Sequence, residues 1–531
     1  MSDWTSHLPV LPVILPLLAG ALMLTLGDAR RNTRASIAVL STLAQLAVAA
    51  ALLAGAAAAA PIAVYQVGNW AAPFGIVLVV DRLAALMLVL SAVLALATLV
   101  YSLARWDRSS VHFHPLFQFL LMGLNGAFMT GDLFNLFVFF EILLAASYGL
   151  ALHGSGLARV KAGLPYVVVN LVASLMFLIG AALIYGVTST LNLADLAVKA
   201  PQLAGDERLL FEAGAAVLGV VFLVKAAAWP LNFWLPGAYG ASCAPVAAMF
   251  SIMTKVGIYA LLRLGSLLGA DGGLFPYTGD WLFGIGLLTL LYGTVGVLGA
   301  QQMERLIGFC VIVSSGTLMA AIGIGTPGTI APMLFYLLSS VLATGAFFLL
   351  VEMAERSRAF GADLLAVAME AFGLEDPEDK RHSDDVVGVA IPAAMAFLGL
   401  AFVICTLLVA GLPPLSGFVA KFSLLSAALA GAADGTTPLS AWALTVAVLL
   451  SGLAGVIALC RMGMRIFWSS ARTVPRLRVI EAGPVAGLIG LCVVMAIAAG
   501  PVMGYLVDTA SALQNPQRYI DAVLTPQNGA R

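Results

Sequence analysis

Long apolar segments, separated by short polar or Gly- and Pro-rich breaks, occupy almost the whole chain. Most of these segments reach the roughly 20 residues that a helix needs to cross a bilayer. Because lipid offers the backbone no hydrogen-bond partners, this pattern predicts an all-α polytopic membrane protein. The predicted spans, numbered 1 to 14 in chain order, cover residues 8–27, 35–57, 77–104, 113–130, 133–152, 163–187, 211–235, 241–265, 281–300, 305–324, 329–352, 388–411 continuing to 430, 440–467 and 483–507.

The composition excludes an ordinary soluble protein. Of the 531 residues, 61% are apolar or aromatic and 10% are charged, whereas a soluble domain has about 25% charged residues. The mean hydropathy of +1.02 agrees with a chain whose solvent is mostly lipid. The net charge of −1 gives no basic field, so nucleic acid is not an expected partner. The five cysteines lack the spacing of a disulfide or metal framework, and we predict neither a cofactor nor a metal site.

The distribution of lysine and arginine predicts the orientation in the membrane. Seventeen basic residues lie in the loops after spans 1, 3, 5, 9, 11 and 13, and six lie on the opposite side. Cytoplasmic loops are the ones enriched in Lys and Arg, and an even number of spans returns the chain to the side where it began. We therefore expect both termini on the outer side of the membrane.

Four ionisable residues are predicted deep within spans: Glu141, Lys225, Lys255 and Lys421. Each costs about 2.5 to 3.5 kcal/mol at the centre of a membrane helix, so their presence indicates a function. A desolvated lysine can release and regain a proton, whereas arginine stays charged, and a nearby carboxylate favours the charged lysine. The set therefore predicts proton transfer. A static ion pair between Glu141 and one lysine is the alternative, although it leaves the surplus lysines unexplained.

Two of the lysines lie beside predicted breaks in their helices. Lys225 precedes two Xaa-Pro pairs in span 7, and Lys421 follows a Pro-Pro segment in span 12. Proline within a span frees backbone carbonyls, and broken helices in the two halves of a chain mark transport sites. Lys255 follows Ser251 and Thr254, whose hydroxyls would bind either a relay water or their own helix. The residues that predict the breaks are Pro230 and Pro236 in span 7, and Pro413, Pro414 and Gly417 in span 12.

Three segments that contain these residues resemble the antiporter-like subunits shared by Mrp (Pha, Mnh) cation/proton antiporters and respiratory complex I. The segments are GDLFNLFVFFEILLAASYGL, VFLVKAAAWPLNFWLPGAYGASCAPVAAMFSIMTKVGIYALLRL and LPPLSGFVAKFSLL. The chain is most similar to the D-type subunits of Mrp antiporters. The resemblance implies a transporter subunit rather than an enzyme, located in a bacterial cytoplasmic membrane. Its implied partners are the other antiporter subunits, the lipid bilayer, protons and Na⁺ or K⁺.

The resemblance also implies a fold and residue roles. Spans 4–8 and 9–13 would form two inverted five-helix repeats, with broken helices 7 and 12. Glu141 and Lys225 would form a switchable pair, Lys255 the central relay site, and Lys421 the terminal site of the second half-channel. The implied units are residues 1–110 (spans 1–3), 111–265 (first repeat), 281–467 (second repeat, with a cytoplasmic loop at 353–387) and 468–531 (span 14 and the tail).

Span 11 departs from the family pattern. The family commonly has histidine or lysine in this span, whereas here Tyr336 is the sole ionisable group within residues 331–350. The hydroxyl residues Ser339, Ser340 and Thr344 are candidates for holding water molecules instead. The connection between Lys255 and Lys421 is therefore the part of the path that the sequence leaves open.

Two other functions stay open at this point. An N-type or M-type subunit of complex I, or a subunit of a membrane-bound hydrogenase, would use the same buried charges within an oxidoreductase. A structural scaffold would use them to hold helices together. Neighbouring reading frames separate the first from an antiporter, and replacement of all three lysines tests the second.

Overall fold

The computed structural model describes residues 4–27, 30–58, 62–269, 279–356, 393–430, 438–467 and 477–525. Within these ranges the chain is a bundle of α-helices, and twelve helices there are long and apolar enough to cross a membrane. The prediction of a polytopic helical membrane protein is confirmed. The predicted loop at 353–387 lies almost entirely outside the described residues, as does the predicted start of span 12 at 388.

The first described residues form a 3₁₀ segment, Trp4–Val10, that leads directly into the first helix. The described α-helices up to residue 268 are α1 (Leu11–Thr25), α2 (Arg31–Ala57), α3 (Arg82–Ser102), α4 (Phe113–Met129), α5 (Leu133–Ala151), α6 (Leu157–Thr188), α7 (Leu193–Lys199), α8 (Gly205–Lys225), α9 (Trp234–Ala241) and α10 (Ala244–Leu268). Those that follow are α11 (Gly279–Gly299), α12 (Met303–Ile324), α13 (Pro327–Glu355), α14 (Ala393–Ala410), α15 (Ser416–Ala430), α16 (Leu439–Phe467), α17 (Val479–Ile497), α18 (Ala499–Leu513) and α19 (Pro516–Leu524).

Predicted span 3 begins later than expected, because its first residues form a strand. The buried strand β2 (Val77–Val80) pairs antiparallel with β1 (Ala63–Gln66). A run rich in valine favours a strand, and Asp81 then starts α3 by accepting a hydrogen bond from the Ala84 amide at 2.9 Å. The paired residues are Ala63 with Val80, Val64 with Val79, Tyr65 with Leu78 and Gln66 with Val77.

Predicted span 7 is broken, but not at its second Xaa-Pro pair. α8 ends at Lys225, and the chain turns over residues 226–233 before α9 begins. Ala227 in this turn has a φ of +57°, and Pro230 has no backbone N–H, so the helix does not continue through it. Pro236 lies in the first turn of α9, where the backbone N–H groups have no helical partner in any case. The prediction of a break at Pro236 is therefore wrong.

Predicted span 12 is broken where its Pro-Pro segment indicates, since α14 ends at Ala410 and α15 begins at Ser416. Predicted span 14 is also two helices, α17 and α18, which meet at Ala498. Nothing in the apolar pattern indicated this second break. The residues after predicted span 14, for which the sequence predicts a tail, include the amphipathic helix α19.

Two groups of helices follow the same order. Apart from the short α7, each group has three consecutive helices, a fourth that is broken in two, and a long fifth helix. Because five is an odd number of spans, the second group starts from the opposite face and is inverted relative to the first. Two of the fourteen predicted spans are not among the twelve helices that are long and apolar enough to cross a membrane. Span 4 corresponds to α4, which has 17 residues, and span 7 begins with α8, whose first turn contains Asp206 and Glu207.

Two helices, α10 and α13, lie at the centre of the bundle. They pack against each other, and almost all of their residues are buried. α10 is the last helix of the first group, and α13 belongs to the second, so the two groups meet through them. This packing puts Lys255 and the hydroxyl residues of predicted span 11 in the middle of the protein.

The described loops lie on two faces of the bundle. The terminal face carries the β-hairpin, α7 and α19, and the His7 and Tyr65 rings meet there with centroids 5.7 Å apart. The basic face carries the arginine-rich loops, where Arg31 pairs with Asp107 and Arg356 pairs with Glu481, each at 2.7 Å. The first and last described segments both lie on the terminal face, as an even number of spans requires.

Candidate functional site

Glu141 lies near the middle of α5, a helix of 19 residues. Asp132 begins this helix by accepting a hydrogen bond from the Asn135 amide at 2.9 Å. The Glu141 side chain is half-buried, and its buried Oε1 atom has no hydrogen-bond partner among the described residues. A carboxylate oxygen in this state is costly unless another charge or a water molecule compensates for it.

Lys225 is the last residue of α8, directly before the helix break, and its side chain is 8% exposed. Its Nζ donates a hydrogen bond to Asn170 Oδ1 at 3.3 Å and lies 5.7 Å from the centre of the Phe140 ring. The Lys225 ammonium and the Glu141 carboxylate interact electrostatically, but they are not within the 4.0 Å of an ion pair. The structure thus brings together the two residues that the resemblance pairs, while leaving a gap between them.

A small cavity adjoins Lys225, and we call it the Lys225 cavity. Its lining includes Asn170, Tyr166 and Tyr239, and it has about 20 Å³ of space for the centre of a water molecule. That space is large enough for one water molecule. Asn170 was not among the predicted site residues, although a lone amide in the apolar segment 163–187 was a usable signal.

A larger cavity opens at the basic face, and we call it the basic-face cavity. It has about 200 Å³ of space for water, and its lining includes Arg159, Glu304 and Glu352. Tyr239 lines both this cavity and the Lys225 cavity, and its hydroxyl donates a hydrogen bond to the Phe250 carbonyl at 2.9 Å. The Tyr239 side chain therefore separates a polar opening from the buried lysine.

Lys255 lies in the middle of α10 with 1% of its surface exposed. Its Nζ donates a hydrogen bond to Ser315 Oγ on α12 at 3.3 Å. Ser251, one turn earlier, bonds to the Ala248 carbonyl of its own helix at 2.7 Å, so the second of its two predicted alternatives applies. The Thr254 hydroxyl is buried and has no hydrogen-bond partner in the described part of the chain.

Lys421 lies on α15, and its Nζ reaches back across the helix break. It donates hydrogen bonds to the carbonyls of Val409 and Ala410 at 3.1 and 2.9 Å. These are carbonyls at the end of α14, which have no partners within that helix. Lys421 therefore satisfies the broken end of α14 and holds the two halves of predicted span 12 together.

The hydroxyl residues of predicted span 11 fall into two classes. Ser339 pairs with Ser416 at 2.8 Å, and Ser340 accepts a hydrogen bond from Ser314 at 3.0 Å while it donates to the Leu337 carbonyl of its own helix at 3.0 Å. Thr344, by contrast, donates to carbonyls of its own helix, with the shorter bond of 2.7 Å going to Ser340. The Thr344 hydroxyl proton is thus bound within its own helix, and its predicted role in holding water stays a prediction.

Comparison with known proteins identifies the family. Residues 130–453 match the family model described as NADH:quinone oxidoreductase/Mrp antiporter, transmembrane. The chain belongs to this family. It is 52% identical over its full length to a probable K⁺/H⁺ antiporter D subunit of Rhizobium meliloti, of which 100% is covered. It is 31% identical, over 98% of this chain and 99% of the relative, to a Na⁺/H⁺ antiporter D subunit of Alkalihalophilus pseudofirmus.

The fold of the family is also shared by a solved structure. A chain in the structure of the Mrp complex from Dietzia sp. superposes with a TM-score of 0.82 at 27% sequence identity, covering 98% of this chain and 100% of that chain. The resemblance that the three sequence segments indicated is therefore confirmed.

Proposed function

We propose that this chain is the D subunit of a multisubunit monovalent cation/proton antiporter, in which it moves protons through Glu141, Lys225, Lys255 and Lys421. One observation carries the proposal. All three lysines are less than one tenth exposed inside an apolar bundle, and a half-buried carboxylate interacts with the first of them. Such charges are costly in a membrane and characterise ion and proton pathways. The chain is then a transporter subunit and not an enzyme.

Protons reach Lys225 from the basic face in this proposal. The basic-face cavity is open to water, Tyr239 separates it from the Lys225 cavity, and the Lys225 cavity has room for one water molecule beside the ammonium. When Glu141 approaches Lys225, it favours the charged lysine, and when it moves away the lysine releases its proton more readily. The Glu141 carboxylate and the Lys225 ammonium are farther apart than the 4.0 Å of an ion pair, so they can still move closer together. This movement would act as the switch.

The proposed location is a bacterial cytoplasmic membrane with the basic face toward the cytoplasm. Cytoplasmic loops are the ones enriched in lysine and arginine, and the arginines of the basic face include Arg31, Arg159 and Arg356. The terminal face, with both ends of the chain, would then lie outside. Reporter fusions at the N-terminus and within the segment 357–392 give opposite signals if this orientation holds, and the same signal if it does not.

Potassium is the cation we propose. The relative that is 52% identical over the whole chain is named a probable K⁺/H⁺ antiporter subunit, whereas the one named for Na⁺ is 31% identical. The proposed partners are the other subunits of such a complex. Copurification with identification of the bound subunits tests this assignment, and ion-replacement assays compare K⁺ with Na⁺.

The family description also covers NADH:quinone oxidoreductase, so a proton-pumping subunit of complex I or of a membrane-bound hydrogenase is the second candidate. The full-length similarity to an antiporter subunit favours the first. Iron–sulfur or quinone-binding proteins among the copurified subunits would favour the second.

Replacement of the first pair tests the proposed function. We expect Glu141→Gln and Lys225→Ala each to reduce antiport by at least about tenfold, because each removes one partner of a proton-transfer step. The assay is cation-dependent proton movement in vesicles that contain the assembled complex.

Two surface residues serve as matched controls. Lys199 forms an ion pair with Asp195 at 3.0 Å on the terminal face, and Glu212 pairs with Arg208 at 2.7 Å on α8. Lys199→Ala and Glu212→Gln should leave antiport unchanged. Full antiport in both Glu141→Gln and Lys225→Ala, with normal assembly, contradicts the proposal.

A further inference from the structure

Two histidines are buried at the basic face, outside the proposed proton path. His114 lies in the first turn of α4 and is 3% exposed, and His153 follows α5 and is 5% exposed. Histidine is the side chain whose charge ordinarily changes between about pH 5 and 8. A buried histidine that has a charged partner within reach can therefore make the protein respond to pH.

His114 has an acidic neighbour but no hydrogen bond to it. Its Nε2 lies 3.8 Å from Asp107 Oδ2, which is too far for a hydrogen bond, and neither ring nitrogen has a hydrogen-bond partner among the described residues. The Asp107 side chain is 1% exposed, and Arg31 donates to both of its oxygens at 2.8 Å. This arrangement fits a neutral imidazole, because an imidazolium would approach the carboxylate to about 2.8 Å.

The other charged or titratable side chains on the elements around this pair are mostly basic. They are Arg30 before α2, Arg31 and Arg34 of α2, Tyr101 of α3, Arg105, Arg108 and His112 of the loop before α4, His153 after α5, Arg159 and Lys161 of α6, and Glu352 of α13. Burial raises the pKa of Asp107, but the His114 ring and Arg31 outweigh this and hold it below the ordinary value. Asp107 therefore stays charged near neutral pH, and His114 is the member of the pair whose charge changes.

Trp106 links this pair to the basic-face cavity. It precedes Asp107 in the chain and lines the cavity, and its Nε1 donates a hydrogen bond to Glu352 Oε2 at 2.8 Å. Its carbonyl bonds to His153 Nε2 at 2.7 Å. Because a carbonyl only accepts, His153 Nε2 carries a proton in either charge state, so this bond does not change with pH. A movement of Asp107 therefore reaches a residue that lines the cavity.

We propose that His114 and Asp107 form a pH switch, which alters the basic-face cavity when His114 takes up a proton from solution. The inference rests on the proposed function and adds a regulation to it. The imidazolium and the carboxylate attract each other and close the 3.8 Å gap to a hydrogen bond. His114 is fixed on a helix, whereas Asp107 belongs to the short 3₁₀ segment Trp106–Arg108, so Asp107 moves. Trp106 moves with it and its bond to Glu352 is disturbed, so antiport is fastest while His114 is neutral.

Removal of the titratable group tests the switch. Antiport of the unchanged protein should slow as the pH at the basic face falls from about 8 to about 6, and His114→Gln should reduce the ratio of the two rates by about threefold or more, since glutamine stays neutral. The rates are measured in vesicles that contain the assembled complex with the basic face outward. Structures of the unchanged complex at high and low pH need no variant, and in them the distance from His114 Nε2 to Asp107 Oδ2 should shorten from 3.8 Å to about 2.8 Å.

Two other histidines provide matched controls. His112 lies two residues before His114 and is exposed, so His112→Gln should keep the pH dependence of the unchanged protein. His153→Ala removes a contact to Trp106 that is present in both charge states. It should lower antiport by a similar factor at both pH values, whereas His114→Gln should change the pH dependence itself.

The outcomes distinguish this inference from the proposed function. If Lys225→Ala abolishes antiport while His114→Gln keeps the pH dependence of the unchanged protein, the switch is wrong and the function stands. If Lys225→Ala transports normally, the proposed function itself is wrong. An equal change of the pH dependence in His112→Gln also overturns the switch, because surface charge then explains both. So does a distance between His114 and Asp107 that is the same at high and low pH.

Discussion

At the scale of single residues, the three buried lysines share one feature. Each Nζ binds neutral oxygen atoms: an amide of Asn170, a hydroxyl of Ser315, and the carbonyls of Val409 and Ala410. None of the three is within 4.0 Å of a carboxylate of a described residue. A neutral acceptor holds an ammonium less tightly than a carboxylate does. This arrangement suits a group that must release its proton during each cycle.

Gly411 determines where one of these lysines lies. Its φ is +79°, and an added Cβ would meet Lys421 Cδ at 2.5 Å. Gly411→Ala therefore strains the backbone by about 1–3 kcal/mol and displaces the Lys421 side chain. We expect a lower thermal stability of the complex and reduced antiport.

Gly399→Ala on α14 is the control for this change. The nearest atom to an added Cβ there is a carbon of the Phe467 ring, at 3.9 Å. Equal antiport rates for the Gly399 and Gly411 variants would show that the position of Lys421 does not matter.

At the scale of elements, α10 is the helix that fixes the Lys225 site. Gly257 faces the end of α8 so closely that an added Cβ would lie 2.6 Å from the Phe222 carbonyl oxygen and 2.7 Å from the Ala226 nitrogen. The backbone of α10 thus supports the last turn of α8, from which Lys225 extends. The break after Lys225 is held from the other side by Thr289, whose Oγ1 accepts a hydrogen bond from the Trp229 amide at 2.9 Å.

Substitution of Gly257 tests this contact between helices. Gly257→Ala should push α10 away from α8, destabilise the protein by about 1–3 kcal/mol, and reduce antiport by changing the separation of Glu141 and Lys225. Thermal unfolding of the purified complex and vesicle transport give the two readouts. Gly219→Ala, on α8 itself, meets nothing within 4 Å and should alter neither.

At the scale of the whole molecule, ion pairs on the two faces join the first three helices to the rest. On the basic face, Arg31 of α2 donates two hydrogen bonds, each 2.8 Å long, to Asp107 in the loop between α3 and α4. On the terminal face, Arg263 of α10 pairs with Asp81 before α3 at 2.6 Å. These ion pairs attach the first helices on both faces of the bundle. The two inverted groups meet at α10 and α13.

The Asp107 pair predicts a dependence of stability on pH. Burial raises the pKa of Asp107, but the hydrogen bonds and charge of Arg31, together with the His114 ring, whose Nε2 lies 3.8 Å from Asp107 Oδ2, outweigh it, so its pKa lies below the ordinary 3.8. The pair therefore stabilises the fold fully above 3.8, and this stabilisation is lost as the pH falls through the lower folded value. Asp107→Asn should destabilise the protein at neutral pH by about 1–3 kcal/mol, less than a fully buried pair because Arg31 is partly exposed.

Thermal unfolding at a series of pH values measures this effect. The difference between Asp107→Asn and the unchanged protein should persist down to about pH 4 and shrink below it. Asp508→Asn is the control, because Asp508 also pairs with an arginine, Arg82, but its side chain is 61% exposed. A difference that does not change with pH would contradict the role of the Asp107 charge.

The amino-acid sequence by itself determined the membrane class, most of the spans and the four ionisable residues within them. Lipid makes these signals strong, because one charge such as Lys255 within a span is costly and stands out against apolar neighbours. The Pro-Pro segment likewise located the break before Lys421, since proline removes a backbone donor.

Only the tertiary structure decided which partners those charges have. Asn170 and Ser315 lie 55 and 60 residues from the lysines they bind, and helix packing brings them together. Thr344 and Ser340 look alike in the sequence, and both hydroxyls donate to their own helix, yet the Ser340 hydroxyl also accepts a hydrogen bond from α12. A side chain's polarity is a property of the residue, whereas its partner depends on the rotation and spacing of neighbouring helices.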